Sequence, residues 1–376
     1  MAQGSTSASA STSRTEARLQ FQRRALAPGG HPGQAGFRLP GMSAAPAPSD
    51  LQAIDSDHPG LPASGTGEDA IKQVGDNISS WLATHERLKE TPVPDYGHPL
   101  RFATFISPAN SPARRPVELA QHSERLGFDF VTFQDHPYQS SFLDTWTLLS
   151  WVAARTERIG VSANVLNLPL RQPPAVLARA AASLDLLSGG RTSLGIGAGF
   201  YWDAVQAAGG RRLTPLQGVA ALGEAIDVIR GIWDADVPGT LNADGEFYKV
   251  HGAERGPAPA HEIPIWLGAH KPRMQDLVGR KADGWLPSLP VMESGGLPKG
   301  NAIIDDAAQA AGRDPRKITR LLNIFPDQQT PEELAQMTLQ DGVSIFILAS
   351  DDPDVLERFA AESIPAVREH VARGRK

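Results

Sequence analysis

Between residues 101 and 348 one unit recurs eight times: a short apolar or β-branched run, followed after a turn by a stretch with helical hydrophobic spacing. The runs are RFATF (101–105), FDFVTFQ (128–134), IGVSANV (159–165), RTSLGIG (191–197), IPIWLGA (263–269), ADGWLPS (282–288), ITRLLNIF (318–325) and GVSIFIL (342–348). The helical stretches cover 116–126, 143–155, 174–187, 215–233, 272–280, 301–311, 331–339 and 353–371. Several open near proline, whose missing N–H costs nothing in a first turn. Eight strand-helix units in about 270 residues match a closed parallel barrel, whose usual size is about 250. An open doubly wound sheet would carry a glycine-rich turn after its first strand, and ISPANSPARRP contains no glycine. The expected fold is therefore α/β, a (β/α)8 TIM barrel spanning 99–372. One insertion, residues 234–262, interrupts the rhythm between units four and five. It contains GTLNADGEFYKV, which reads as a hairpin turning at Asp244-Gly245.

The chain before the barrel has a different character. Residues 1–48 are rich in Ser, Ala, Gly and Pro with hardly an aliphatic cluster, too little to offset their ordering entropy. A disordered low-complexity extension is expected through residue 65. Its bases, Arg14, Arg18, Arg23, Arg24 and Arg38, stand against Glu16 within those 48 residues, a composition shared with organelle transit peptides. A low-complexity leader is the favoured reading. Ile71, Val74, Ile78, Trp81, Leu82 and Leu88 recur mostly at helical spacing, so 66–98 reads as an amphipathic helix and linker docking on the domain that follows.

Composition narrows the chemistry. The net charge of -6, with no long basic block, offers no footprint for nucleic acid or anionic lipid. The absence of cysteine removes disulfides, thiolate nucleophiles and cysteine-ligated metals, so redox chemistry would need a borrowed cofactor. No run approaches the roughly 18 apolar residues of a membrane span. No H-x-H or H-E-x-x-H spacing supports a metal site, and His122 and His251 read as surface residues. A soluble, cytoplasmic protein acting on a small molecule, with no nucleic-acid or membrane partner, is expected.

In a barrel the strand C-termini share one face, where chemistry is built. The second run breaks off at Gln134-Asp135-His136-Pro137, which delivers a carboxylate and an imidazole to that face. The third ends ANVLNLP, the fourth GIGAGFYW and the fifth GAHKP. Glycines at 195, 197 and 199 either admit close backbone approach to a ligand or ease barrel packing. Neighbouring strand ends with exposed N–H groups suit a flat, phosphate-bearing ligand.

FDFVTFQDH, ANVLNLPLRQPPAVLARAAASLDLLSGGRTSLGIGAGFYWDA and IPIWLGAHKPRMQDLVGRKADGWLPS together resemble the bacterial luciferase-like superfamily of flavin- and deazaflavin-dependent oxidoreductases, in family order and spacing over residues 100–350. The resemblance implies a cofactor ring over the strand C-termini. It places His136 at the family's active-site histidine, with Asp135 orienting the loop or the imidazole. Asn164-Val165 falls on a bulge that is often a non-prolyl cis peptide supporting the ring, at that bond or one residue earlier. Asn167 falls at a polar cofactor contact, and Ala198 and Gly199 at the strand-four contacts. Gly268, Ala269, His270, Lys271 and Met274 fall in the loop used around the phosphate side. Phe200 and Trp202 are substrate-pocket candidates, and Asp283 is expected to fix a loop by hydrogen bonds to backbone.

Two departures carry information. Luciferases keep an FMN-phosphate arginine where this chain has Ala198, and the glucose-6-phosphate-oxidising deazaflavin enzymes keep a catalytic glutamate where it has Phe200. The expected cofactor is therefore coenzyme F420 in preference to FMN. The expected reaction is hydride transfer to or from a small organic substrate, with His136 carrying the proton; an imidazole of pKa about 6.5 suits that work near neutrality. An FMNH2- and O2-using monooxygenase and a noncatalytic flavin-binding barrel are the alternatives. The family implies a homodimer.

Overall fold

The structure is a computed structural model that describes residues 95–288, 296–326 and 328–376. The expected extension (1–65) and the expected amphipathic helix lie outside the described residues. Eight parallel strands close a barrel in the order β1 (Arg101–Ile106), β2 (Phe130–Phe133), β3 (Gly160–Ala163), β5 (Thr192–Gly197), β8 (Ile265–Leu267), β9 (Gly284–Trp285), β10 (Thr319–Ile324) and β11 (Val343–Ala349). Closure is by β11 against β1, with Arg101 opposite Ile345. A two-residue strand, β4 (Leu166–Asn167), continues the third strand and pairs with β5. The insertion forms the antiparallel hairpin β6 (Leu241–Asp244) and β7 (Lys249–Ala253), and the Gly245 amide donates across its turn to the Tyr248 carbonyl at 3.1 Å.

The helices are α1 (Arg115–Leu126), α2 (Thr145–Ala153), α3 (Pro174–Ser188), α4 (Trp202–Ala207), α5 (Pro215–Trp233), α6 (Pro272–Lys281), α7 (Gly296–Ala310), α8 (Pro331–Asp341), α9 (Pro353–Arg358) and α10 (Ile364–Gly374). Local chemistry sets their ends. Thr214 with Gln217, and Thr330 with Glu333, close reciprocal capping boxes on α5 and α8. Two boundaries differ from the sequence expectation. α7 starts five residues earlier than Asn301, with Pro298 sitting in its first turn. The final helix is split, because Pro365 has no N–H to continue the ladder, and a π turn over Phe359–Ser363 takes up the register.

Packing follows the alternation of the strands. Phe346 and Leu348 on β11 face the helices and join the main core with Phe102, Ile106 and Phe133. Ala103, Trp266, Leu321, Ile345 and Ile347 form a second cluster that fills the barrel interior. The barrel is thus a solid support whose strand ends are held rigidly, and its C-terminal mouth is where side chains are free to serve a ligand.

Candidate active site

Strand β2 stops at Phe133, and the next three residues are held tightly. The Gln134 carbonyl accepts from Thr145 Oγ1 at 2.6 Å. Asp135 is buried; its carboxylate accepts from the Asn167 amide at 2.9 Å and from Arg171 Nε at 3.0 Å. Arg171 also pairs with Asp144 at 2.7 Å. Asp135 is therefore a strut joining the second and third strand ends, and its hydrogen bonds go to that loop rather than to the imidazole.

His136 follows, half-buried at the mouth. Its Nδ1 is buried without a hydrogen-bond partner, which leaves Nε2 as the nitrogen a substrate can reach. Tyr138, Phe142 and Tyr201 surround the ring at centroid distances of 5.5, 6.4 and 5.6 Å. Phe142 is fixed there because the loop after β1 zips onto it: Ala109 bridges Phe142, and the Leu143 amide donates to the Pro108 carbonyl at 2.7 Å. Burial pulls the His136 pKa below 6.5, against a smaller opposing pull from Asp135, so the ring is neutral at pH 7.

The third strand end carries the expected bulge, and the Asn164–Val165 peptide is cis. β3 ends just before it and β4 resumes just after. Val165 is cradled by two glycines: a Cβ on Gly197 would lie 3.0 Å, and on Gly268 3.1 Å, from its Cγ2. A Cβ on Gly195 would fall 2.0 Å from the Ala163 carbonyl oxygen, so this glycine answers to strand packing rather than to a ligand. Gly199, with φ of +107°, completes the turn out of β5 beside half-buried Ala198.

A polar chain crosses the mouth from this bulge. Asn164 Nδ2 donates to Asn323 Oδ1 at 2.7 Å, and Asn323 Nδ2 returns a bond to Asn164 Oδ1 at 3.2 Å. Asn323 Nδ2 also donates to Ser288 Oγ at 2.9 Å, and the Ser288 amide donates to His270 Nε2 at 3.1 Å. An accepting Nε2 places the His270 proton on Nδ1. Burial, and then the charge of Lys271, hold its pKa below 6.5. Asn323, Ser288 and Arg171 were not anticipated from sequence; the one visible signal was an asparagine inside the apolar run LLNIF.

The remaining expected residues divide. Ala269 is buried at the end of β8, where its carbonyl accepts from Trp285 Nε1 at 2.7 Å. Lys271 caps α6 and Met274 sits half-buried in its first turn. Trp202 packs on the main core, its ring over Gly199 and Gly218, whereas its neighbour Tyr201 reaches His136. Phe200 is exposed and stands edge-on to Tyr201 at 4.7 Å. Asp283 holds the opposite end of the barrel: it accepts from the Ile265 amide at 2.9 Å and from Arg230 at 2.8 Å.

Two features fit a planar redox cofactor at the mouth. Asn167 Oδ1 and the Tyr138 hydroxyl are buried yet unpartnered, close to one another but outside hydrogen-bonding geometry. Val165, packed between Gly197 and Gly268, puts an apolar side chain at the bulge.

A closed (β/α)8 barrel with an imidazole ending its second strand and a cis bulge ending its third defines an oxidoreductase of the flavin- and deazaflavin-dependent class. The chain belongs to the luciferase-like monooxygenase family, whose model matches residues 99–370. An F420-dependent glucose-6-phosphate dehydrogenase of Mycolicibacterium fortuitum is 30% identical over 264 residues, covering 67% of this chain and 77% of that protein. Among solved structures, an F420-dependent secondary alcohol dehydrogenase in complex with an F420-acetone adduct superposes with a TM-score of 0.60 at 19% identity, covering 72% of this chain and all of that one. The long-chain alkane monooxygenase LadA superposes with the same TM-score of 0.60 at 14% identity, over 72% of this chain and 92% of its own. Both likenesses establish the shared barrel.

Proposed function

We propose that the protein is an F420-dependent oxidoreductase that exchanges a hydride with a small organic substrate while His136 carries the accompanying proton. The observation that carries the reading is the His136 imidazole: neutral, with one nitrogen buried and the other open, beside the cis bulge. When bound, the deazaflavin supplies a two-electron hydride donor or acceptor. Asn164 and Val165 would support its ring, Asn167 would meet its polar edge, and Ala198 and Gly199 would let it approach the backbone. Gly268, Ala269, His270, Lys271 and Met274 would surround its phosphate-bearing tail. Nε2 of His136 takes the proton from an alcohol during oxidation and returns it to a carbonyl in the reverse direction, help typically worth about 10² to 10⁴ in rate. Asp135 and Arg171 fix the loop that sets the height of that nitrogen.

The preference for F420 over FMN is supported by Ala198, which brings no charge to the place of the luciferase phosphate arginine, and by the F420-dependent relatives. Titrating the purified protein with each cofactor by fluorescence quenching tests it. F420 is expected to bind at least about 10-fold more tightly, a difference of about 1.4 kcal/mol; tighter FMN would overturn the reading.

The working unit in this reading is a cytoplasmic homodimer. Trp151 on α2 and Val176 and Leu187 on α3 are large apolar side chains left exposed on neighbouring helices. Trp151 also lines a groove of about 430 Å³ between α1 and α2. Exposed apolar surface of this kind favours a partner, and sedimentation at micromolar concentration would reveal it.

A further inference from the structure

We propose that the substrate, within the reading above, is an uncharged alcohol or carbonyl compound built on an apolar ring, which lies against the wall formed by Tyr138, Phe142 and Tyr201, and that Tyr201 sets this preference. All three rings of that wall flank the imidazole, and the two tyrosines also meet each other. Tyr138 and Tyr201 meet at 6.2 Å, edge to face, and Phe200 extends the surface outward while remaining 69% exposed. An apolar ring gains dispersion contacts and buried area on such a face.

Tyr201 carries the clearest sign of a purpose beyond packing. It is the single non-glycine residue with positive φ among the described residues, at φ 53° and ψ 56°. The left-handed conformation costs a residue with a Cβ about 1 to 2 kcal/mol, and such cost concentrates at functional positions. Tyr201 stands at the start of α4 without making a side-chain cap bond. What its conformation does achieve is to stand the ring across from His136 and Tyr138.

The electrostatics agree. Burial depresses the His136 pKa and raises that of Tyr138 to about 12, so the wall disfavours charge of either sign. The nearby loop cations are engaged: Arg171 by Asp135 and Asp144, Arg212 by Asp203, while Arg211 lies over the Phe247 ring. A phosphate dianion would need such a cation to offset its desolvation. One neutral hydroxyl or carbonyl needs only what is present, the open Nε2 of His136.

The test uses the full chain. Loading with oxidised F420 is scored first by fluorescence quenching, which judges the cofactor reading by itself. F420 reduction is then followed with cyclohexanol, 2-propanol and glucose 6-phosphate. The expected result is that kcat/KM for cyclohexanol exceeds that for glucose 6-phosphate by about 100-fold or more, and that Tyr201→Ala lowers the cyclohexanol to 2-propanol ratio by about 10-fold through KM, with Tyr201→Phe restoring it. Saturation-transfer NMR with cyclohexanone reads the wall without turnover, so the substrate proposal is tested even if F420 fails to bind. Ring-proton saturation in the wild type that is lost in Tyr201→Ala supports it. Equal or better use of glucose 6-phosphate, a uniform loss across substrates in Tyr201→Ala, or no saturation in the wild type would overturn it.

Discussion

The two ends of the barrel both bury polar side chains, and one cluster at each end shows opposite treatment. At the strand N-termini Arg320 is wholly buried and fully answered. Its Nε donates to Asn301 at 2.6 Å, Nη1 to the Ile318 carbonyl at 2.6 Å, and Nη2 to both Asp305 and the Tyr96 hydroxyl, while the guanidinium lies 4.4 Å from the Tyr96 ring. At the C-terminal mouth the Tyr138 hydroxyl and Asn167 Oδ1 are equally hidden and have no partner. An unpaired buried group costs about 1 to 3 kcal/mol. Two such groups side by side are, in the proposed reading, an arrangement that a ligand completes, whereas the Arg320 cluster is complete in itself.

Substitutions at the two ends should break that comparison if it is wrong. His136→Ala is expected to have the largest effect, lowering kcat by about 10² to 10⁴ while F420 affinity changes little; steady-state kinetics alongside fluorescence titration separates the two. Arg320→Met should do the reverse. Removing the guanidinium strands Asp305 and Asn301, so a loss of about 3 to 5 kcal/mol in urea denaturation is expected, with turnover per folded molecule retained.

The pH dependence sharpens the contrast at smaller amplitude. Alcohol oxidation requires His136 to be neutral, and burial lowers its pKa, so the acid limb of kcat should have its midpoint below pH 6.5. His136→Ala should lose that acid limb. The same depression has a stability consequence. A histidine kept neutral by the fold leaves the unfolded chain to bind the proton first, so stability conferred by neutral His136 and His270 is present above about pH 6.5 and declines as pH falls below it. Thermal melts at pH 7.5 and 5.5 would read the difference.

Much of this was legible in the sequence, for a definable reason. The eight units announce themselves because buried parallel strands read as continuous apolar runs and their helices as periodic ones. His136, Asn164 and Asn167 were found because a barrel puts strand ends on one face, and a family likeness then assigned them roles. What escaped lacks any period. Arg171 sits in LPLRQPP, where nothing in the order of residues says that the chain doubles back to Asp135. Asn323 hides inside β10, and its pairing with Asn164 spans 159 positions. α4 has six residues, too few to show an amphipathic repeat. The sequence reading chose Trp202 and passed over its neighbour Tyr201, the ring that reaches His136, because residue types do not reveal the positive φ at Tyr201.

The contrast between the two ends is tested most directly at Asn167, by thermal unfolding of the wild type and of Asn167→Leu, each with and without F420 at about 100 times its Kd. For the wild type, about 2.7 kcal/mol of ligand stabilisation should raise Tm by roughly 5 to 10 °C. Asn167→Leu should melt at or above the wild-type temperature without ligand, since it removes a buried group that nothing answers, and should lose most of the F420-induced rise. A variant that melts well below the wild type on its own, yet gains the full rise from F420, would contradict the account.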